Sequence, residues 1–145
     1  MTIRLGRILG IRVSLHVSWF LILALVALGS ARSYAEADPT LSRPVPMIMG
    51  AATALLFFAC LLAHELGHAL VARRLGIPVR GITLFLLGGL SEISEEITVP
   101  GNEFAIALAG PLVSAALGGA FAAAAYATKG PTEAVAASLA VGNVF

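Results

Sequence analysis

The sequence predicts an all-α polytopic membrane protein with three full transmembrane helices, the start of a fourth, and a membrane-associated β-hairpin between the second and third. Two observations lead to this fold class. Hydrophobic residues make up 59% of the chain and charged residues only 12%, and the mean hydropathy is +0.95. Such a chain is too apolar for a soluble domain and too poor in charge for a disordered segment. Uncharged runs also recur along it at lengths that match the thickness of a bilayer.

Three uncharged runs are long enough to cross about 30 Å of hydrocarbon. They are residues 13–31, 44–63 and 104–128, of nineteen, twenty and twenty-five residues. A fourth run begins at Ala134 and is twelve residues long at Phe145. Twelve residues are too few to span a bilayer. We therefore expect residues 1–145 to form a single membrane-embedded core that is incomplete at its C-terminal end.

Basic residues flank these runs unequally. Six arginines lie before the first run or after the second: Arg4, Arg7, Arg12, Arg73, Arg74 and Arg80. The other connections carry only Arg32, Arg43 and Lys129. Because short cytoplasmic segments are enriched in lysine and arginine, the N-terminus is expected in the cytoplasm and the lipid bilayer is the expected environment. A net charge of +1 without a basic run gives no indication of nucleic-acid binding.

Residues 82–99 break the helical pattern. The stretch "ITLFLLGGLSEISEEITV" has β-branched residues and a Gly88-Gly89 pair at its middle, which favours a β-hairpin. Its apolar first arm could lie at the membrane face, where non-helical backbone must border protein or a wet cavity. A surface loop is the alternative, and the sequence leaves both open.

The third run has one helix face without bulky side chains. Gly110, Ser114, Gly118 and Ala122 recur at every fourth position, so a neighbouring backbone can approach that face closely. We expect this face to be a packing seam.

The stretch "LLAHELGHALVARR" carries the candidate chemistry. His64 and His68 are four residues apart, so their rings project from one helix face, with Glu65 beside them. Each ionisable group alone would cost about 3 kcal/mol at the bilayer centre, which predicts a shared partner. In the His-Glu-x-x-His arrangement that partner is zinc, and the glutamate is the base for an attacking water. The alternative is that the histidines hydrogen-bond a neighbouring helix and Glu65 faces a polar cavity.

These motifs resemble the site-2 protease family of intramembrane zinc metalloproteases, and in particular its compact prokaryotic members. The matching stretches are "LGRILGIRVSLHVSW", "FFACLLAHELGHALVARRLGIPVRGITLFLLGG" and "EFAIALAGPLVS", in the expected order. The resemblance implies an integral protein of a prokaryotic cell membrane that hydrolyses a peptide bond in or near a transmembrane segment of a substrate protein. It implies that His64 and His68 bind Zn²⁺ and that Glu65 is the catalytic acid/base. The implied substrate-binding residues are Leu84, Phe85, Leu86, Leu87, Gly88 and Gly89.

The third zinc ligand of that family has no counterpart in residues 1–145. In the family it is an aspartate of a later Asp-Gly element, which would follow Phe145. Since two imidazoles leave zinc one protein ligand short, we expect residues 1–145 alone to be inactive. His16 and Glu92 are the candidate substitutes, although an interfacial histidine beside Trp19 and a solvated carboxylate are the simpler interpretations.

Two other functions remain open from the sequence. A transporter could use His64, Glu65 and His68 to relay protons or an ion, but the third run offers only Ser114 and no ionisable partner. A non-catalytic membrane adaptor would keep the fold without the distal aspartate.

The charge pattern predicts Arg80 in the cytoplasm and Lys129 outside. Arg80→Cys and Lys129→Cys, each made after Cys60→Ala, are to be labelled with an impermeant thiol reagent in intact cells. We expect labelling at position 129 only, because the reagent does not reach the cytoplasm. Labelling at position 80 only would mean that the topology is inverted.

Overall fold

The computed structural model describes residues 1–86, 88–93 and 100–144. In chain order its elements are β1 (Thr2–Ile8), β2 (Ile11–His16), α1 (Ser18–Ala37), α2 (Pro44–Arg74), β3 (Val79–Phe85), β4 (Gly88–Ile93), α3 (Pro100–Ala127) and α4 (Pro131–Gly142). The chain is mostly helical, as predicted. Within the described residues, α1, α2 and α3 are long and apolar enough to cross a membrane.

The sequence analysis missed the first two strands. Ile11, Val13 and Leu15 are buried on β2 and alternate with more exposed residues, which is the two-residue period of a strand. The prediction that residues 13–31 form one span is wrong at its start. This run contains most of β2 and the first part of α1, which starts at Ser18.

The four strands form one sheet in the order β1-β2-β3-β4. The predicted hairpin is present: β3 pairs with β4 antiparallel, and Phe85 lies opposite Gly88 at the turn. Leu87 and residues 94–99 lie outside the described part of the chain. Strands β2 and β3 are parallel, with Val13 opposite Ile82, and both side chains are at most 1% exposed. The hairpin is therefore fixed to the N-terminal strands as well as to itself.

Helix α2 has a defined start and end. Pro44 occupies its first turn, where the fixed φ of proline suits a helix. At the other end Gly76 has a φ of +80°. The N–H groups of Gly76 and Ile77 donate to the carbonyls of Arg73 and Ala72, at 3.1 and 3.0 Å. These are the two hydrogen bonds of a Schellman cap, and they turn the chain from α2 into β3.

The chain divides into two compact units. One contains Met1–Phe20 and Leu61–Ser114, and the other contains Leu21–Cys60 and Ala115–Phe145. In the second unit, α1 and α2 meet at Gly50, where a Cβ would come within 2.7 Å of the Ala31 side chain. The Tyr34 hydroxyl bonds Thr53 Oγ1 of α2 at 2.8 Å and Ser138 Oγ of α4 at 2.9 Å. A small-residue contact and a hydrogen-bonded polar cluster thus join three helices, as is common between membrane helices.

Large apolar side chains are exposed along the helices. On α1 and α3 they recur at helical spacing: Leu21, Leu25 and Leu28, and Phe104, Leu108 and Leu112. Stripes of exposed apolar side chains would be unfavourable in water. They are consistent with an integral membrane location.

Candidate active site

The two histidines of α2 meet on one face of the helix. The Nε2 atoms of His64 and His68 are 3.0 Å apart, and the rings lie edge to face with centroids 4.7 Å apart. Both residues are half-buried. The spacing of four residues places the rings one turn apart, as predicted.

A hydrogen bond at Nδ1 orients each ring. His68 Nδ1 lies 2.7 Å from the carbonyl oxygen of Ile106. Because a carbonyl only accepts, Nδ1 carries the proton, and in the neutral ring the lone pair is on Nε2. His64 Nδ1 lies 2.9 Å from Ser114 Oγ. Histidines that bind metals are usually held in this way at the second nitrogen.

Gly110 leaves space beside both Nε2 atoms. A Cβ at this position would contact His68 Nε2 and lie 2.5 Å from His64 Nε2. Two imidazoles on one tetrahedral zinc have their nitrogens about 3.3 to 3.4 Å apart, given Zn–N distances of about 2.0 to 2.1 Å. The observed 3.0 Å requires a shift of only a few tenths of an ångström. The residues present therefore fit a zinc ion bound by two imidazoles.

Helix α3 provides the partners of both histidines because it lies close to α2 at Gly67. A Cβ on Gly67 would come within 2.9 Å of Val113 Cγ2 and 3.1 Å of the Ala109 carbonyl oxygen. The expectation that the small-residue face of α3 is a packing seam is confirmed at Gly110 and Ser114. The sequence analysis noted Ser114 as a small residue and as a polar residue of the third run, but it did not assign Ser114 as the partner of His64. The carbonyl of Ile106 has no signal in the sequence.

The hairpin brings backbone to the Glu65 carboxylate. A Cβ on Gly89 would contact Glu65 Cγ and lie 2.7 Å from Cδ and 2.9 Å from Oε1. The other described residues of the predicted substrate-binding stretch differ in their exposure. Leu84 is 2% exposed and belongs to the core, Phe85 is half-buried, and Leu86 is 38% exposed. Within this stretch, Gly89 is placed against a candidate catalytic group.

Of the two candidate third ligands, His16 does not join the pair among the described residues. His16 Nδ1 instead lies 2.8 Å from Ser18 Oγ, and the Glu92 side chain lies outside the described atoms. Among the described residues, no three His, Cys, Asp or Glu side chains form a group that could hold a metal.

Apolar spans, paired imidazoles on one of them and a glutamate covered by a β-hairpin are together typical of a membrane-embedded metallopeptidase. The chain belongs to peptidase family M50, which matches residues 52–143. The resemblance to the site-2 proteases, drawn from the motifs, is therefore confirmed.

Relatives named as zinc metalloproteases include a protein of Synechocystis sp. and Rip3 of Mycobacterium tuberculosis. The first is 50% identical over 115 residues, covering 79% of this chain and 30% of the relative. The second is 41% identical over 128 residues, covering 88% of this chain and 33% of the relative. The solved site-2 protease from Methanocaldococcus jannaschii shares the fold, with a TM-score of 0.64 and 24% identity over 99% of this chain and 62% of that chain. The chain spans about a third of the length of the curated relatives it matches.

The space at Gly110 predicts a specific effect on metal content. In the full natural protein, Gly110→Ala places a methyl group against both Nε2 atoms, so we expect the zinc affinity to fall at least about tenfold. Gly119→Ala on the same helix is the matched control, because its Cβ would meet nothing within 4 Å. Elemental analysis after dialysis against a range of free zinc concentrations gives both affinities. Equal zinc content in the two variants would place the metal elsewhere.

Proposed function

We propose that this chain is the core of a zinc-dependent endopeptidase that hydrolyses a peptide bond in or near a transmembrane segment of another membrane protein. The observation that carries the proposal is the pair of Nε2 atoms 3.0 Å apart with Glu65 next to His64, on a helix whose other charged residues are Arg73 and Arg74 at its end. Membership in peptidase family M50 supports it. So do the names of the relatives, which describe zinc metalloproteases.

In this proposal His64 and His68 hold the zinc through Nε2. An aspartate of a later Asp-Gly element, as in the site-2 proteases, would be the third protein ligand. When bound, zinc supplies Lewis-acid chemistry that polarises the peptide carbonyl and acidifies the attacking water. Glu65 accepts the proton of that water and then donates it to the leaving amine.

A helical substrate must be unwound before it can react, because its carbonyls are held in internal hydrogen bonds. The backbone at Gly88 and Gly89 is suited to hold an extended segment, since Gly89 lies against Glu65 and a strand edge can pair with a peptide. Leu86, which is 38% exposed, would form part of the approach to this edge, whereas Leu84 belongs to the core. Substrates are expected to carry helix-breaking residues near the cleaved bond.

The depth of the site follows from the helix that carries it. Arg73 and Arg74 end α2, and the excess of arginine supports a cytoplasmic location for this end. At 1.5 Å per residue, His68 is about 9 Å and His64 about 15 Å along the axis from Arg74. Cleavage is therefore expected within the cytoplasmic half of the bilayer.

The role of Glu65 predicts that Glu65→Gln retains zinc but loses cleavage. The amide has nearly the same shape but cannot accept the proton, so we expect kcat to fall about 10²- to 10⁴-fold. The probe is a fluorescently tagged single-span reporter with an Asn-Gly pair in its span, in liposomes with the full natural protein. Cleavage is followed by electrophoresis.

Glu103→Gln is the matched control, because Glu103 is exposed in the first turn of α3 and the same charge is removed. It should cleave like the wild type. Near-normal cleavage by Glu65→Gln would assign the base to another residue. Absence of cleavage by the wild type on reporters that carry varied helix-breaking pairs would reject the proposed function.

A further inference from the structure

We propose that Ser18 and His16 are positioning residues, which hold the turn between β3 and β4 so that the backbone at Gly89 stays in place beside Glu65. This inference rests on the proposed function, since the hairpin edge is taken to align the substrate strand.

Ser18 connects the start of α1 to the hairpin turn. Its Oγ accepts a hydrogen bond from the backbone N–H of Leu86 at 3.2 Å. His16 Nδ1 lies 2.8 Å from the same Oγ and 3.3 Å from the Ser18 backbone nitrogen. Because that backbone N–H can only donate, Nδ1 is the acceptor. The Ser18 hydroxyl therefore donates to His16 and keeps a lone pair for Leu86.

The Ser18 hydroxyl does not serve as a cap for its own helix. A capping side chain accepts from an N–H two or three residues further along, but the N–H of Phe20 donates to the carbonyl of Val17 at 3.2 Å. The hydroxyl is instead directed to Leu86, 68 residues away in sequence. This hydrogen bond stabilises the tertiary structure rather than the start of α1.

The anchored turn lies close to the candidate catalytic carboxylate. Leu86 is three residues before Gly89, so even a fully extended chain separates the two by only about 10 Å. Gly89 pairs with Leu84 across the hairpin and lies against Glu65. A shift of the turn would therefore move β4 relative to Glu65.

Loss of the hydroxyl should leave the hairpin folded but less fixed. The β2–β3 and β3–β4 pairings do not use Ser18, so the sheet has its own hydrogen bonds. A substrate strand added to a displaced edge would present a different peptide bond to Glu65, since a slip of one residue also exchanges the two faces of a strand. The expected defect is in alignment rather than in binding.

Amide hydrogen exchange tests the anchor without any catalytic readout. In the full natural protein in nanodiscs, Ser18→Ala should speed exchange at the Leu86 amide about threefold to tenfold, as expected for the loss of one hydrogen bond. His16→Ala should act in the same direction. Ser18→Thr keeps the hydroxyl and should restore protection. Ser33→Ala is the control on the same helix, because Ser33 Oγ donates to Gly29 O within α1. Unchanged exchange in Ser18→Ala would overturn the proposal.

Cleavage of the single-span reporter tests the consequence. For Ser18→Ala we expect additional cleavage positions by mass spectrometry and a kcat about threefold to tenfold lower, with KM changed less than about twofold. Ser18→Thr should restore the single position, which a loss of folded protein would not explain. A Ser18→Ala protein that cleaves only the wild-type bond at the wild-type kcat would contradict the positioning role. A wild type without cleavage rejects the proposed function, and the exchange measurement then still decides whether Ser18 holds the turn.

Discussion

The contact between two imidazoles in an apolar helix is the interaction on which the rest of the site depends. Their Nε2 atoms are 3.0 Å apart, and their Nδ1 atoms are engaged by Ser114 Oγ and the Ile106 carbonyl. Ionisable groups on a membrane-spanning helix are unfavourable unless they are paired or bound. Both rings are therefore turned by α3 so that their remaining nitrogens meet at one point. A metal at that point would offset the unfavourable free energy of placing both histidines in an apolar helix. It would also give the neighbouring glutamate a water to act on.

Glycine at three positions allows the surrounding elements to approach this pair. A Cβ at Gly67 would collide with α3, one at Gly110 would reach the imidazole nitrogens, and one at Gly89 would reach Glu65. Each is thus required for a different contact: helix to helix, helix to histidine, and hairpin to carboxylate. Glycine weakens helices and strands. Its presence here is explained by close packing around the site rather than by backbone flexibility.

The sequence predicted the elements whose signals are local. The length of the apolar runs, the four-residue spacing of His64 and His68 and the hairpin around the Gly88-Gly89 pair are each read from a short window. The pair itself lies at the start of β4, just after the turn. The pairing of β2 with β3 could not be read in this way, because it joins residues separated by two helices. The strand pattern of Ile11, Val13 and Leu15 was also merged with the apolar helix that follows it. Backbone partners such as the Ile106 carbonyl leave no trace in the sequence, and Ser18 is one polar residue within the first uncharged run.

Zinc-edge X-ray absorption of the zinc-loaded natural protein tests the central claim most directly, because it reports the ligands of the metal itself. The account predicts imidazole scattering from two histidines with Zn–N distances of about 2.0 to 2.1 Å. It also predicts that His64→Ala and His68→Ala each remove one imidazole from the spectrum. A spectrum that keeps two imidazoles in both variants, or that contains none in the wild type, would contradict the assignment of the paired histidines as the metal site.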